Sequence, residues 1–367
     1  MHKLFVNVFL LFGLTCCSHQ NKNYLATAWP EADQIFRQDS SWVGADDAYS
    51  IALGGNRTLW LFADTFIDST RRHNRKAATL IRNSIAIQIG DNPSSAQIAF
   101  FWRKNSSGQP AAFFSEQNNE WFWPGHGIRL QDRLIIFLMR VRGTTTGLRF
   151  EVYGWDAVLI PNPEDSPANW KLEWLDSPAN AYQIIVGSAS ILQIDAHVYA
   201  FGSGESMPNH PVFLTRWPAN EFANGELAGI EWWETARKAW VRQADIKNSP
   251  SPIFNNGQTE FTVHFDQWLN HYFCIQTLEF GAANIYYRLA DQLTGAWCEP
   301  LKLYEPPEKG HPHILIYAAK AHPQLTGADL VLTYATNSTE FSELLSDLSI
   351  YFPRFVRVKR GSAESKI

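Results

Sequence analysis

A hairpin-like pattern of hydrophobic and polar positions occurs five times along the chain. Each copy has a short apolar stretch, a tight turn and a longer apolar stretch that ends in polar residues, as in SIALGGNRTLWLFADTF and AHPQLTGADLVLTYATN. With Trp60, Ile135, Tyr199, Tyr272 and Leu332 as equivalent points, the steps are 75, 64, 73 and 60 residues, a mean of 68. Four-stranded units of about this size, with longer loops, are typical of β-propellers. The pattern therefore predicts an all-β fold, a five-bladed β-propeller with four-stranded antiparallel blades.

The strand ends of the first blade carry a group of polar residues. The pattern predicts an inner strand over 48–53, a turn over 54–56, a second strand over 58–66 and a third strand that starts near residue 83. Successive strands run in opposite directions, so the start of the first, the end of the second and the start of the third lie at one face of the ring. The polar residues at these points are Asp46, Asp64, Arg82 and Asn83.

The other four blades have polar or aromatic residues at the equivalent points. These are Trp123 and His126 in blade two, Glu205 in blade three, Glu260 in blade four, and His322 and Asn337 in blade five. Charges and imidazoles at the axial ends of apolar strands indicate a polar pocket on the propeller axis. Capping of exposed backbone groups at the strand ends is the alternative explanation for each residue, because any propeller needs such caps.

Composition and charge narrow the class of protein. The chain has 367 residues, of which 45% are hydrophobic, so it can bury a large core, and all-β repeat folds often use this length as one domain. Its many aromatic residues suit pleated strands, and some of them could stack on sugars. A net charge of -5 provides no basic face, so nucleic acid is not an expected partner. We expect a monomer.

The N-terminal segment predicts export and a lipid anchor. Lys3 is followed by an apolar run over 4–14 that is typical of a signal peptide and too short for a permanent membrane span. Residues 14–17, Leu-Thr-Cys-Cys, resemble the bacterial lipobox. This resemblance implies a lipoprotein signal peptide over 1–17, acylation of Cys17, and a place in the cell envelope as an outer-membrane lipoprotein or in the periplasm. The alternative is an ordinary secretory signal with two incidental cysteines.

The rest of the chain is predicted to form a tether over 18–33, a single propeller domain over 34–360 and a tail over 361–367. A segment around Gln34-Ile35-Phe36 is expected to complete blade five and close the ring. Closure of this kind removes free sheet edges.

Neither a disulfide nor a metal site is expected. Cys274 and Cys298 fall on strands with one strand between them, which implies Cα atoms about 9–10 Å apart, whereas a disulfide needs about 4.4–6.8 Å. His311 and His313 flank a proline without a nearby carboxylate, which is a weak ligand set. We therefore expect no cofactor.

Several segments resemble a known bacterial family. GADDAYSIALGGNRTLWLFADTF, IRNSIAIQ, WPGHGI, VGSASIL, TEFTVHFD, LTGAWCEP and AKAHPQLTGADLVLTYATNS occur in an order similar to that of the family called domain of unknown function 4185. The resemblance covers residues 42–358. It implies a five-bladed propeller similar to family 43 glycoside hydrolases, and some members of the family are endo-D-arabinanases.

The resemblance also implies site residues. Asp46 and Asp64 match the two most characteristic carboxylates, and Glu260 and His322 match other recurrent positions of the funnel. Enzymes similar to family 43 draw three carboxylates from successive inner strands, whereas blades two and three of this chain offer His126 and Ser188 there. Asp47 adds another carboxylate beside Asp46.

These residues favour a glycosidase, an exported enzyme that cleaves an oligo- or polysaccharide, of arabinan type if the resemblance extends to the substrate. Glycoside hydrolysis needs one carboxylic acid and one carboxylate, and we expect Asp46, Asp64 and Glu260 to supply them. The substrate-binding set is Arg82, Asn83, Trp123, His126, Glu205, His322 and Asn337. A lipoprotein that binds glycan without cleaving it, and a scaffold for envelope proteins, are the alternatives.

Overall fold

The computed structural model contains five antiparallel sheets arranged in a ring, so the predicted five-bladed propeller is confirmed. It describes residues 24–115, 120–147, 149–179, 182–205, 207–278, 281, 283–325 and 329–360. The inner strands of neighbouring blades contact one another in order around the ring and back to the first. The blades have four or five strands each.

The strands follow the chain from the first blade to the fifth. Strand β1 (Tyr24–Ala28) precedes blade one, which contains β2 (Trp42–Gly54), β3 (Arg57–Ile67), β4 (Thr79–Ile81), β5 (Ser84–Ile89) and β6 (Gln97–Phe101). A separate small sheet contains β7 (Arg103–Lys104) and β8 (Pro110–Ala111). Blade two contains β9 (Glu120–Leu130), β10 (Arg133–Gly143), β11 (Phe150–Ile160) and β12 (Glu173–Leu175).

Blades three to five continue this order. Blade three contains β13 (Ile185–Ile194), β14 (His197–Ser203), β15 (Val212–Pro218), β16 (Glu231–Glu234) and β17 (Ala239–Arg242). Blade four contains β18 (Thr262–Asp266), β19 (His271–Leu278), β20 (Asn284–Ala290) and β21 (Leu301–Tyr304). Blade five contains β22 (Ile314–Ala321), β23 (Leu330–Ser338) and β24 (Arg354–Arg360), together with β1.

Helical segments are short and connect strands. The α-helices are α1 (Pro30–Asp33), α2 (Ala219–Ala223) and α3 (Phe341–Ser346), and the 3-10 helices are Gln34–Arg37, Arg75–Ala77, Pro167–Asn169 and Gln243–Asp245. Within the described residues, no helix has the length and apolar character that a membrane span requires.

The first hairpin follows the sequence pattern closely. Strands β2 and β3 pair antiparallel with Ser50 opposite Trp60, and the predicted strands over 48–53 and 58–66 lie within them. Gly54 and Gly55 both have positive φ, which lets the chain turn tightly between the two strands.

Ring closure differs from the sequence-based prediction. Strand β1 pairs with β24, from Tyr24 opposite Arg360 to Ala28 opposite Val356, so both ends of the described chain lie in blade five. The segment around residues 34–36 forms part of a 3-10 helix instead, with Ile35 and Phe36 buried in the core. The outer strand of blade five therefore comes from within the predicted tether over 18–33.

Close packing between blades depends on glycine at one contact. Gly187 in β13 has a φ of +74°, and a Cβ atom at this position would lie 2.2 Å from the ring of Phe137 in β10. The phenyl ring therefore packs directly on backbone, which brings blades two and three together.

Cys274 and Cys298 are free thiols on either side of β20. Cys274 in β19 is opposite Arg288 of β20, while the sulfur of Cys298 accepts a hydrogen bond of 3.1 Å from the amide of Leu289 in β20. Cys298 lies in the loop before β21 rather than at the start of a strand.

Candidate active site

A cavity of about 820 Å³ lies at the axial face that the sequence pattern singled out. Its walls contain residues from all five blades, and four carboxylates line it: Asp46, Asp64, Glu205 and Glu260. Apolar and aromatic side chains complete the wall, including Trp123, Met139, Phe150, Val152, Leu278, Leu315, Tyr317 and Tyr351. A concave apolar site with a few convergent polar groups is typical of a ligand-binding site.

Asp46 and Asp64 face each other on paired strands of blade one. Ala45 in β2 is opposite Thr65 in β3, and Asp47 is opposite Phe62, so a bulge lies between these two pairs. The bulge places Asp46 beside Ala63 and Asp64. Both residues line the same cavity, and the charge of Asp64 acts on the carboxyl group of Asp46, so the two carboxyl groups are neighbours.

Cationic and neutral donors surround the carboxylate of Asp64. Arg82 Nη1 lies 3.0 Å from Asp64 Oδ2, and the indole of Trp123 donates to Oδ1 at 2.9 Å. The guanidinium of Arg82 also lies 4.2 Å from the ring centroid of Trp121. Hydrogen bonds from charged and neutral donors favour the ionised form of a carboxylate, so Asp64 is suited to remain an anion.

The carboxyl group of Asp46, unlike that of Asp64, is in surroundings that favour its protonated form. Burial, together with the neighbouring charge of Asp64, raises the pKa of Asp46 to about 8, against the opposing effect of a hydrogen bond from Tyr317. This bond runs from the Tyr317 hydroxyl to Asp46 Oδ2 at 2.6 Å. Oδ1 is buried and has no hydrogen-bond partner among the described residues. Asp46 is therefore protonated at neutral pH, and Asp64 remains its ionised neighbour.

Glu260 belongs to a buried cluster with Lys320 and Asp47. Lys320 Nζ lies 2.6 Å from Asp47 Oδ1 and 3.1 Å from Glu260 Oε1, and it also donates to the backbone carbonyl of Asp47. The lysine side chain is fully buried and its Nζ lies 4.3 Å from the ring centroid of Tyr49. The ion pairs compensate for the desolvation of this ammonium.

The three ionisable groups of this cluster influence one another. Burial acts to raise the pKa of Glu260, but the charge of Lys320 and the hydrogen bonds with Asp47 and Lys320 together lower it below the ordinary value. Burial raises the pKa of Asp47 well above its usual range. For Lys320, burial acts to lower the pKa, and the two carboxylates raise it above the ordinary value. Glu260 is thus an anion at the cavity wall, paired with a cation behind it.

Glu205 and Asn337 also line the cavity, as predicted from their strand ends. Glu205 Oε1 accepts hydrogen bonds from Ser203, at 3.2 Å, and from Thr259. The amide of Asn337 donates to the Tyr317 hydroxyl at 3.2 Å and so orients the phenol that binds Asp46. Asn337 therefore acts on Asp46 through Tyr317 rather than by direct contact.

Four residues that were predicted to bind substrate are not among those that line the cavity: Arg82, Asn83, His126 and His322. Arg82 is not among the lining residues and reaches the site through its ion pair with Asp64. Asn83 is fully buried, and its side chain bonds the backbone of Phe114 and Phe122. This placement corrects the prediction for Asn83, since its amide groups are all used to hold a loop.

The two histidines are held between blades. Ile191 N donates to His126 Nδ1 at 3.0 Å and His126 Nε2 lies 3.3 Å from the carbonyl of Ser50, while burial lowers its pKa to about 4. His322 is buried, with Nδ1 2.5 Å from Ser50 Oγ and Nε2 2.8 Å from Thr333 Oγ1. Burial likewise lowers the pKa of His322 well below its ordinary value. Both are neutral residues that join blades, and neither is among the residues that line the cavity.

Lys320 and Tyr317 are site residues that the sequence analysis missed. Both lie in the apolar strand ILIYAAKA of blade five. A lone lysine in a buried strand is itself a signal, because an isolated buried ammonium is costly and requires a carboxylate partner. Cys17, the predicted acylation site, lies outside the described residues. In the described ranges, no group of three or more His, Cys, Asp or Glu residues is arranged to hold a metal ion.

The five-bladed propeller fold is shared with solved structures of glycoside hydrolases. The chain belongs to the family Domain of unknown function (DUF5005), whose profile matches residues 31–360. A search of curated proteins gives no significant match.

Solved structures with the same architecture include a protein of Bacteroides ovatus ATCC 8483 to which a hydrolase function has been attributed. Its TM-score is 0.71 at 16% identity, over 93% of this chain and 92% of that one. The Bombyx mori GH32 β-fructofuranosidase BmSUC1 has a TM-score of 0.52 at 11% identity, over 90% of this chain and 63% of the enzyme. The exo-β-1,3-galactanase of Phanerochaete chrysosporium has a TM-score of 0.50 at 10% identity, over 91% and 64%. At these identities the similarity shows the fold.

Proposed function

We propose that this protein is a glycoside hydrolase that cleaves an oligo- or polysaccharide in its axial cavity. The observation that carries the proposal is the pair of neighbouring carboxyl groups in blade one, of which Asp46 is protonated and Asp64 is held as an anion. Pairs of carboxyl groups whose environments separate their pKa values serve as acid and base in glycosidases. The glycosidases among the structural neighbours support this class of function.

The chemistry follows from the two protonation states. Asp46 donates its proton to the glycosidic oxygen as the bond between that oxygen and the anomeric carbon breaks. Asp64 attacks the anomeric carbon and forms a glycosyl ester. Water then attacks the same carbon, gives its proton to the Asp46 carboxylate and releases Asp64 as a carboxylate, which restores both groups.

The strand register favours this double displacement, with retention of the anomeric configuration. Retaining enzymes hold their carboxyl groups about 5–5.5 Å apart, and inverting enzymes about 6.5–9.5 Å. The proximity of Asp46 and Asp64 on paired strands of one blade supports the shorter separation, and with it retention. Glu260, which was the sequence-based candidate for the second partner of an inverting mechanism, lines the same cavity and is paired with Lys320. Its charge also contributes to the raised pKa of Asp46.

The substrate class and location are part of the same proposal. The resemblance to domain of unknown function 4185, with its endo-D-arabinanase members, supports an arabinan-type substrate. The lipobox-like sequence around Cys17 supports an exported, lipid-anchored protein that meets polysaccharides in the cell envelope. Neither feature depends on the other, so each has its own test.

The test of function is release of reducing ends from arabinans, galactans and peptidoglycan-derived glycans by the soluble protein without residues 1–17. Product stereochemistry, followed by proton NMR at early times, should show retention. Release by the parent but not by Asp46→Asn or Asp64→Asn supports the mechanism. Equal release by parent and both variants, or net inversion, contradicts the assignment of these two residues.

Glycan binding without cleavage is the second candidate function. The observation that favours it is the makeup of the inner strands, because blades two and three supply His126 and Ser188 at the points where enzymes similar to family 43 have carboxylates. This function predicts that a glycan binds in the cavity with no release of reducing ends. It also predicts that Asp46→Asn and the parent leave the bound glycan equally intact.

A further inference from the structure

A second cavity of about 860 Å³ lies between the outer part of blade three and blade four. It is lined by the β16–β17 hairpin, by the segment 253–256 and by the loop between β20 and β21. The aromatic members of its wall are Trp233, Phe254 and Trp297. Neutral polar side chains accompany them: Thr235, Asn255, Asn256, Gln292 and Thr294.

The chemistry of this wall matches a carbohydrate better than other small ligands. Indole rings offer flat apolar faces for sugar rings, and amides and hydroxyls both donate to and accept from sugar hydroxyl groups. Lys238 and Glu299 carry opposite charges, and the Arg288 guanidinium is bound to the backbone carbonyls of Asn255 and Cys298. The wall therefore has one cation more than anions, but both terminal nitrogens of Arg288 are occupied by the backbone, and the remaining polar side chains of the wall are uncharged amides and hydroxyls.

Two polar groups of the wall, the Trp233 indole N–H and the Nε–H of Arg288, have no hydrogen-bond acceptor among the described residues. The indole N–H of Trp233 is buried, and among the described residues nothing accepts its hydrogen bond. The Trp233 ring is held against Trp240, with ring centroids 5.3 Å apart. Buried indole N–H groups usually have an acceptor. The wall of this cavity therefore contains a donor that the rest of the described protein does not satisfy.

The second cavity adjoins the axial cavity. Asn256 lines both, and the wall of one continues along the chain into the wall of the other, over 253–256 and then 256–260. This shared segment is fixed to its neighbours, because Asn256 N donates to Asn209 O at 2.7 Å and Gly257 N to His210 O at 2.9 Å. The two cavities therefore share one wall segment, which is why we consider them together as contacts for one extended ligand.

We propose that the second cavity is a distal binding site for a neutral oligosaccharide, in which Trp233 and Trp297 form the contact faces. The inference rests on the proposed glycan substrate of the axial cavity but not on its hydrolysis. It makes the protein a binder of extended glycan chains, in which one end of the chain occupies the acidic axial site and a more distant unit occupies the tryptophan site.

The test is titration of the soluble Asp46→Asn protein with disaccharides and hexasaccharides of the arabino, xylo and galacto series. We expect a hexasaccharide of one series to bind about tenfold or more tightly than its disaccharide, since the longer chain spans both sites. Trp233→Ala should remove this gain and leave the disaccharide affinity unchanged. Trp174→Ala, at an exposed tryptophan of blade two, is the matched control and should keep the gain.

Three results would overturn the proposal. The first is an equal gain in affinity from disaccharide to hexasaccharide in the parent and in Trp233→Ala. The second is loss of this gain in Trp174→Ala as well. The third is no binding of any of these sugars. Should Trp233→Ala fail to fold, the double variant Asn255→Ala, Gln292→Ala removes two exposed amides of the same wall, and the proposal again predicts loss of the gain. If the parent chain releases no reducing ends but still binds glycan through Trp233, the proposed distal site stands and the proposed hydrolase activity is wrong.

Discussion

The hydroxyl of Tyr317 donates a 2.6 Å hydrogen bond to Oδ2 of Asp46, and this contact joins blade five to blade one at the axial cavity. Burial, then the charge of Asp64 and to a smaller extent that of Glu260 raise the pKa of Asp46, while this hydrogen bond and the charge of Lys320 lower it. The phenol therefore keeps the proton of Asp46 transferable, because without it the carboxyl group would bind the proton still more tightly.

The pH dependence of activity should reveal this balance. A general acid must be protonated, so kcat/KM should fall as pH rises through about 8, the pKa of Asp46. Tyr317→Phe removes the interaction that lowers this pKa, and the alkaline limb should move to higher pH. Rate measurements between pH 5 and 10 check both points. An alkaline limb that does not move in Tyr317→Phe would contradict the role given to Asp46.

Replacement of the paired carboxyl groups should abolish turnover rather than binding. Asp46→Asn and Asp64→Asn should each lower kcat about 10²–10⁴-fold, the usual contribution of a positioned acid or base, while oligosaccharide affinity and melting temperature change little. Asp132→Asn, an exposed carboxylate in the turn between β9 and β10, serves as the control and should keep full activity. Loss of melting temperature with activity retained per folded molecule would indicate a structural role instead.

Loss of the buried ammonium should destabilise the propeller. Lys320→Met leaves Asp47 and Glu260 without their cation, and removal of one partner of a buried ion pair costs about 3–5 kcal/mol. Denaturant unfolding measures this cost as a lower free energy of unfolding. Lys302→Met removes an exposed ion pair with Glu305 and should unfold like the parent. Equal stability of Lys320→Met and the parent would mean that the cluster contributes nothing to the fold.

Stability should depend on pH partly through His126. The folded-state pKa of about 4 lies below the ordinary value of 6.5, so the unfolded chain binds a proton between these pH values and the folded chain does not. The contribution of the neutral His126 imidazole to the free energy of unfolding is fully present above pH 6.5 and is lost as pH falls toward 4. His126→Asn lacks this titration. The difference in unfolding free energy between parent and variant should therefore be smaller at pH 5 than at pH 7.5, whereas a constant difference would exclude this mechanism.

Acylation at Cys17 should place the protein in the membrane fraction. Cys17→Ser should remove the lipid and leave the precursor unprocessed by the lipoprotein pathway, while Cys16→Ser should be processed and sorted like the parent. Fractionation and mass spectrometry of the mature N-terminus distinguish the two variants. Normal processing of Cys17→Ser would favour the ordinary secretory signal.

Alternation of apolar and polar positions determined much of the fold. Because the side-chain period of a strand is two, stretches such as those around Trp60 and Leu332 define strands and turns without reference to the rest of the chain. Alternating strand direction then placed Asp46, Asp64, Glu205 and Glu260 at one face, and all four line one cavity. These features are local and repeat from blade to blade, so the sequence contains them directly.

Only the tertiary structure decided which polar residues meet the cavity and which join the blades. His126, His322 and Asn83 occupy similar strand ends, yet their partners come from other segments of the chain, and no local pattern contains that information. Lys320 is compatible with a buried strand because Asp47 and Glu260, on other blades, compensate its charge. Ring closure depends in the same way on the pairing of β1 with β24, at opposite ends of the chain. Contacts of this kind depend on how the five blades pack, which follows from the whole sequence and from no single segment of it.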